Sequence, residues 1–192
     1  MRVVLHRAVR AVLLVAVAAG IGGCYRGSAR TVSLVEVERE PGWIVVRGVP
    51  VVRQESAHDC GAAALAMVLA RWGIPNAAPE IRQSVPTDER GASAGGLRRF
   101  ARDKGLRAFL ISGGEADLAH ELGAQRPVLV GLVQRYTGSR ALSHYEVVIG
   151  LNPTTHRVLL LDPGHGPRED ELASFEREWR DAGRLTLVVA PS

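Results

Sequence analysis

Residues 54–72 read Gln54-Glu55-Ser56-Ala57-His58-Asp59-Cys60-Gly61-Ala62-Ala63-Ala64-Leu65-Ala66-Met67-Val68-Leu69-Ala70-Arg71-Trp72. A polar run gives way at Cys60 to alanine and leucine, strong helix formers, and Gly73 and Pro75 supply the stop. Leu65, Val68, Leu69 and Trp72 recur at helical spacing, and Ala62, Ala63, Ala64 and Ala66 let neighbours approach closely, so the pattern predicts a core helix. Asp59 takes the cap position. Cys60 stands at the first turn, where unpaired backbone N–H groups and the helix dipole favour negative charge. That favours the thiolate, which is the nucleophilic form.

A nucleophilic cysteine needs a base, a group that orients the base, and donors for the oxyanion on the attacked carbonyl. Two strands, His144 to Leu151 and Arg157 to Leu161, are joined through Asn152-Pro153-Thr154-Thr155. With Pro153 at the second position of that turn, His144 lies opposite Pro163, and a slip of one residue pairs it with Asp162. Side chains facing each other on a sheet have Cβ atoms roughly 4.5 to 5.5 Å apart, so Asp162 can hold one ring nitrogen of His144 and leave the other for Cys60. Gln54 carries a carboxamide N–H₂ that can share the oxyanion with the Cys60 N–H.

Outside these stretches, Thr31 to Glu40 reads as an edge strand and Trp43 to Val52 as extended chain. Pro79 to Ser84 reads as a short helix, Pro86 to Gly96 as loop, and Leu97 to Lys104 as a second amphipathic helix. Strand Leu106 to Ser112, helix Glu115 to Leu122 and strand Pro127 to Val133 follow. A helix carrying Phe175 and Trp179 and a last strand, Leu185 to Ala190, close the chain. Helices mainly first and strands mainly last predict an α+β fold with an antiparallel sheet.

The first 23 residues combine Arg2, Arg7 and Arg10 with an uncharged run from Ala11 to Gly23, a secretory leader by its proportions. It ends Ile21-Gly22-Gly23-Cys24, which resembles a bacterial lipobox and makes Cys24 the lipidated residue; a plain signal peptide or an uncleaved anchor are the alternatives. Three units follow: a leader (1–23), a tether with an edge strand (24–42) and one domain (43–192). Without the leader the chain has 21 basic and 20 acidic residues, and no basic stripe with interleaved aromatics indicates a nucleic-acid partner. No His/Cys/carboxylate set has zinc spacing, so neither metal nor cofactor is expected. With Cys24 assigned to lipid, Cys60 is a lone thiol in an oxidising compartment, where it is either buried and inert or used.

Gln54…Asp59-Cys60-Gly61 with Ala63, Leu65 and Met67-Val68, then Ser143-His144-Tyr145-Glu146-Val147-Val148, Leu161-Asp162-Pro163 and Phe175…Trp179 resemble the papain-like cysteine peptidases that process double-glycine leaders of bacteriocins. The resemblance covers about Pro50 to Val189. It implies a papain-like fold, N-terminal helices on a C-terminal antiparallel sheet, with Cys60 as nucleophile, His144 as base, Asp162 as orienting residue and Gln54 at the oxyanion. It also implies a peptide or protein substrate. Leader-processing members are usually domains of exporters, and no Gly-x-x-x-x-Gly-Lys phosphate loop occurs here. The expected setting is the cell envelope, on the periplasmic side of a membrane reached through lipid on Cys24, with an envelope or export-system partner. A binding or assembly module with little turnover and a cell-wall peptide endopeptidase are the rival readings. His58, His120, His156 and His165 read as solvated or loop histidines, with His58 and His165 the two within reach of the site. Glu55 and Glu146 read as surface or supporting residues.

Overall fold

β-Branched and leucine-rich runs in the second half of the chain form most of one antiparallel sheet, on which helices from the first half rest. A computed structural model describes residues 24–88 and 91–192; the leader read over 1–23 lies outside them. In chain order the elements are β1 (Arg30–Thr31), α1 (Leu34–Val37), β2 (Ile44–Val45), α2 (Cys60–Arg71), α3 (Ala78–Ser84), β3 (Thr87–Asp88), β4 (Gly91–Ala92), α4 (Ala94–Asp103), β5 (Arg107–Ser112), α5 (Glu115–Gly123), β6 (Val128–Arg135), β7 (Ala141–Asn152), β8 (Arg157–Asp162), β9 (Gly166–Glu171), α6 (Leu172–Asp181) and β10 (Leu185–Ala190). The sheet runs β1-β9-β8-β7-β6-β10-β5, with β2 pairing onto β7, and β3–β4 forms a separate small hairpin. Among the described residues no helix is long and apolar enough to cross a membrane.

Helix α2 is buried continuously from Cys60 to Leu69, the signature of a helix enclosed on all sides. It lies against β6, β7, α3 and α4, which fixes Cys60 beside the middle of the sheet. Leu65 is fully buried in this core. Leu65→Ala is expected to cost about 2–5 kcal/mol, seen as a lower urea midpoint at unchanged slope. Val35→Ala, at a residue 59% exposed, should stay within about 0.5 kcal/mol of the parent.

Three segments depart from expectation. The stretch from Thr31 to Glu40 is a two-residue edge strand, β1 on β9, followed by the single helical turn α1. The loop from Pro86 to Gly96 contains the β3–β4 hairpin and the start of α4, whose cap Ser93 accepts a hydrogen bond from the Gly96 N–H at 3.2 Å. Strand β9 is an addition: Gly166-Pro167-Arg168-Glu169-Asp170-Glu171 carries four charged residues, yet it pairs with β8 on one side and β1 on the other.

The turn after β7 is held by Asn152, whose Oδ1 accepts from the N–H groups of Thr154 and Thr155, both at 3.1 Å. Next to the turn the register is Asn152↔Arg157; an irregularity between Val148 and Gly150 shifts it to Val147↔Leu161. Gly150 permits this close passage, since a Cβ there would lie 3.1 Å from the Leu159 Cβ and 3.3 Å from the Ile44 carbonyl oxygen. Continued to the end of β8, this register sets Glu146 opposite Asp162. The direct pairing expected for His144 is therefore corrected: His144 reaches Asp162 on the diagonal, two residues along β7.

Candidate active site

Cys60, in the first turn of α2, is 3% exposed. Gly61 makes room around it: a Cβ there would meet the Ala92 Cβ at 3.0 Å and Tyr145 Cδ2 at 3.1 Å. The β3–β4 hairpin and β7 thus close over the thiol, pinned by the Tyr145 hydroxyl donating to the Ala92 carbonyl at 3.0 Å. Burial, then the nearby Cys60, pushes the Tyr145 phenol up to about 12. Asp59 occupies the cap position of α2, but its side chain makes no capping bond. Its carbonyl accepts from the Ala63 N–H at 3.0 Å instead.

His144 stands between Cys60 and Asp162. It lines the same cleft as Cys60, and its Nε2 lies 2.9 Å from Asp162 Oδ1. Asp162 is fully buried and surrounded by donors. Oδ1 also receives the N–H groups of Gly164 at 2.7 Å and His165 at 3.3 Å; Oδ2 is met by His165 Nδ1 at 2.8 Å and Arg168 Nη1 at 2.9 Å. Burial alone would lower the His144 pKa. Hydrogen bonds to Asp162 and Cys60 and the negative field of Glu146 and Asp162 outweigh it, raising His144 to about 10. Burial pushes Asp162 the other way, yet the hydrogen bond and charge of His144, with His165 and Gly164, hold it well below the usual carboxylate range. At neutral pH the pair is imidazolium and carboxylate.

Gln54 is tied to the same turn, its N–H donating to the Pro163 carbonyl at 3.1 Å. It lines a cleft of about 440 Å³ with Cys60, His58, Arg140, His144 and His165. A second arm of about 630 Å³, bordered by Pro86, Leu132, Val133 and Leu185, meets the first at Gly91, Ser143 and His144. Gln54, Cys60 and His144 therefore come together at one cleft, with Asp162 joined to His144 from the buried side. His120 and His156 line neither arm.

Glu146, read as a surface or supporting residue, is buried beneath the cleft. Its Oε1 accepts from Gln134 Nε2 at 2.9 Å and from Arg168 Nη1 at 3.3 Å. Burial and the Asp162 charge raise it to about 7, against the pull of His144 and Arg168. Arg168 Nη2 donates to the Ala29 carbonyl at 3.3 Å, and the guanidinium lies 5.1 Å from the Tyr25 ring centroid. His144, Glu146 and Asp162 offer ligand-type atoms within 4.8 Å of one another, but Arg168 already places a cation against both carboxylates. Arg168 and Tyr25 were not assigned to the site by sequence, whereas His165 was read as within reach of it and Glu146 as a surface or supporting residue. The local signals were the place of His165 three residues after Asp162 and that of Glu146 two residues after His144.

A family model for peptidase C39 matches residues 48–192. The chain belongs to the peptidase C39 family. Members of that family are cysteine peptidases acting on double-glycine leader peptides. The C39 domain is 24% identical over 129 residues to the Lactococcin-G-processing and transport ATP-binding protein LagD of Lactococcus lactis subsp. lactis, an alignment covering 67% of this chain and 17% of LagD. The chain thus spans less than a fifth of the length of that relative. It is 33% identical over 141 residues to an uncharacterized protein of Methanothermobacter thermautotrophicus, covering 73% of this chain and 89% of the other. Its fold matches a double glycine motif protease from an AMS/PCAT transporter, solved in complex with the leader peptide. The TM-score is 0.59 at 25% identity, covering 77% of this chain and 97% of that one. The C39 fold is papain-like, helices on an antiparallel sheet, as the sequence led us to expect. Residues 24–47, including the segment on which Arg168 rests, precede the matched region.

Proposed function

We propose that this chain is a thiol peptidase of the cell envelope that uses Cys60, His144 and Asp162 on a peptide of the leader type. The observation that carries the reading is the convergence of Gln54, Cys60 and His144 on one cleft, with His144 hydrogen-bonded to a fully buried Asp162. The Cys60 thiolate adds to the scissile carbonyl carbon, forming a C–S bond while the carbonyl pair moves to oxygen. The Gln54 carboxamide and the Cys60 N–H receive that oxyanion. Collapse breaks the C–N bond, and the His144 imidazolium gives its proton to the departing amine. Neutral His144 then takes a proton from water, whose oxygen attacks the thioester; C–S cleavage releases the acid and restores thiolate and imidazolium. Asp162 keeps one ring nitrogen occupied so that the other faces sulfur throughout. The leader-type substrate is argued from family membership and from the leader peptide bound to the AMS/PCAT protease. The envelope setting is argued from the sequence of residues 1–24.

The deciding experiment measures iodoacetamide alkylation of Cys60 in the chain beginning at residue 24 with Cys24→Ser, alongside cleavage of a double-glycine peptide. Alkylation at pH 6 that His144→Ala slows by about tenfold or more indicates an assembled pair. Equal rates would sink the mechanism. Gln54→Ala is expected to lower kcat by about 10² to 10³ with KM little changed, read from initial rates on the same peptide. Digestion of purified peptidoglycan in parallel separates leader-type from cell-wall specificity.

A further inference from the structure

The chain enters the described structure at Cys24, and the fold fixes where that is. Cys24 N donates to Thr137 Oγ1 at 2.9 Å, and its carbonyl accepts from the Thr137 N–H at 3.0 Å. Tyr25 bridges to Tyr136, and Arg26 N donates to the Arg135 carbonyl at 2.9 Å. Residue 24 is therefore held at the end of β6, beside Tyr136 and Arg140, which line the Cys60 cleft.

Five exposed arginines surround this point. Arg26, Arg135, Arg177 and Arg180 border one recess together with Glu178 and Asp181. Arg140 lies 5.9 Å over the Tyr136 ring, whose centroid is 5.7 Å from that of Tyr25. Asp181 pairs with Arg135 at 2.7 Å and Glu178 is buried, which leaves Arg26, Arg140, Arg177 and Arg180 as exposed cations with no salt bridge among the described residues. Without the leader the chain is close to neutral, so this concentration of charge is local. The apolar run Ala11 to Gly23 ends immediately before the same spot, so a retained run or lipid on Cys24 would set a bilayer at that point.

We propose that the arginine surface around Cys24 docks on an anionic lipid leaflet and holds the mouth of the Cys60 cleft against the membrane. The cleft then meets peptides lying at the bilayer surface, such as chains emerging from it. This rests on the envelope reading given above and is independent of turnover. Each arginine near an anionic surface contributes roughly a fivefold gain in affinity, and the gain is screened by salt.

The test is co-sedimentation of the unlipidated chain from residue 24 (Cys24→Ser, with Cys60→Ala as a second background) with two kinds of vesicle. One is pure phosphatidylcholine; the other is phosphatidylcholine with a third phosphatidylglycerol. Expected is binding to the anionic vesicles alone, lost in high salt, and weakened by at least about 25-fold in Arg177→Glu/Arg180→Glu. Arg99→Glu/Arg107→Glu, an equal charge change at exposed sites on α4 and β5, should bind as the parent does. No binding to anionic vesicles, or equal loss in both double variants, would overturn the proposal. Because Cys60→Ala should dock as well as the parent, failure of docking and failure of peptide cleavage are separate results.

Discussion

Asp162→Asn is expected to lower peptide turnover by about 10⁴-fold, with Cys60 still present and the cleft still formed. Asp162 does more than accept from His144: its two oxygens also receive His165, Arg168 and two backbone N–H groups. An asparagine keeps the shape but has one oxygen for those donors, and it turns an N–H₂ toward either His144 or the Arg168 guanidinium. The imidazole loses the partner that holds it protonated and in the right tautomer, so the His144 pKa should fall from about 10 toward its ordinary value. Removing one member of a buried charged group costs about 3–5 kcal/mol. The sign with pH is set by the depressed Asp162 pKa. Its contribution is present above the ordinary aspartate range near 3.8 and lost as pH falls through the native value, so the parent loses stability in acid on a limb that the variant lacks. Steady-state kinetics, histidine titration by NMR and urea unfolding at pH 3 and 6 read the three effects. A kcat within tenfold of the parent would show that Asp162 does not orient the base.

What could be read ahead of the structure follows from distance along the chain. The thiol, its helix and the glutamine lie within one stretch, and His144 and Asp162 sit on strands joined by a recognisable turn. The irregularity at Val148–Gly150 was not readable, because it depends on Gly150 passing close to both Leu159 and Ile44, two segments that meet only in the fold. Strand β9 was missed for a different reason. Its Arg168, Glu169 and Asp170 look like solvent residues, but each is buried against a distant partner. Glu169 is met by Arg157 at 2.6 Å and Arg30 at 3.1 Å, Asp170 accepts from Ser28, and Arg168 bridges Asp162 and Glu146. Strand patterns rest on apolar alternation, and a strand whose buried positions are satisfied by Ser28, Arg30, Arg157, Glu146 and Asp162 gives no such signal. The tether read at residues 24–42 hides the same fact from the other side, since those polar residues are what make β9 an inner strand.

Arg168→Met is expected to cost about 3–5 kcal/mol and to spread its effect to the thiol. The register places Glu146 opposite Asp162, so two buried carboxylates face each other, and Arg168 Nη1 is the cation between them at 3.3 and 2.9 Å. With the guanidinium gone, the two acids repel at short range and Glu146 should hold its proton well above pH 7. In the parent, Glu146 is raised to about 7 by burial and then by Asp162. It therefore binds a proton in the folded state between its ordinary 4.5 and 7, where the unfolded chain has lost it. Stability accordingly declines as pH rises through that window and stays lower beyond it. His144 adds a second decline: its contribution is complete below 6.5 and lost as pH rises through about 10. The parent should thus be more stable at pH 5 than at pH 8, by a few kcal/mol at about 1.4 kcal/mol per unit. Glu146→Gln keeps an acceptor for Gln134 and Arg168, should remove its own share of the first decline while leaving that of Glu178, which burial also raises to about 7, and should stabilise the protein at pH 8. If repulsion between the carboxylates is the cause, Glu146→Gln also rescues much of the loss in Arg168→Met, whereas independent packing defects would simply add. A urea series at pH 4 to 9 on the four proteins decides this, with alkylation of Cys60 as the second readout. The decisive comparison is with Tyr25→Ala, which removes the ring under the guanidinium but leaves both carboxylates paired, and so should slow alkylation less than Arg168→Met.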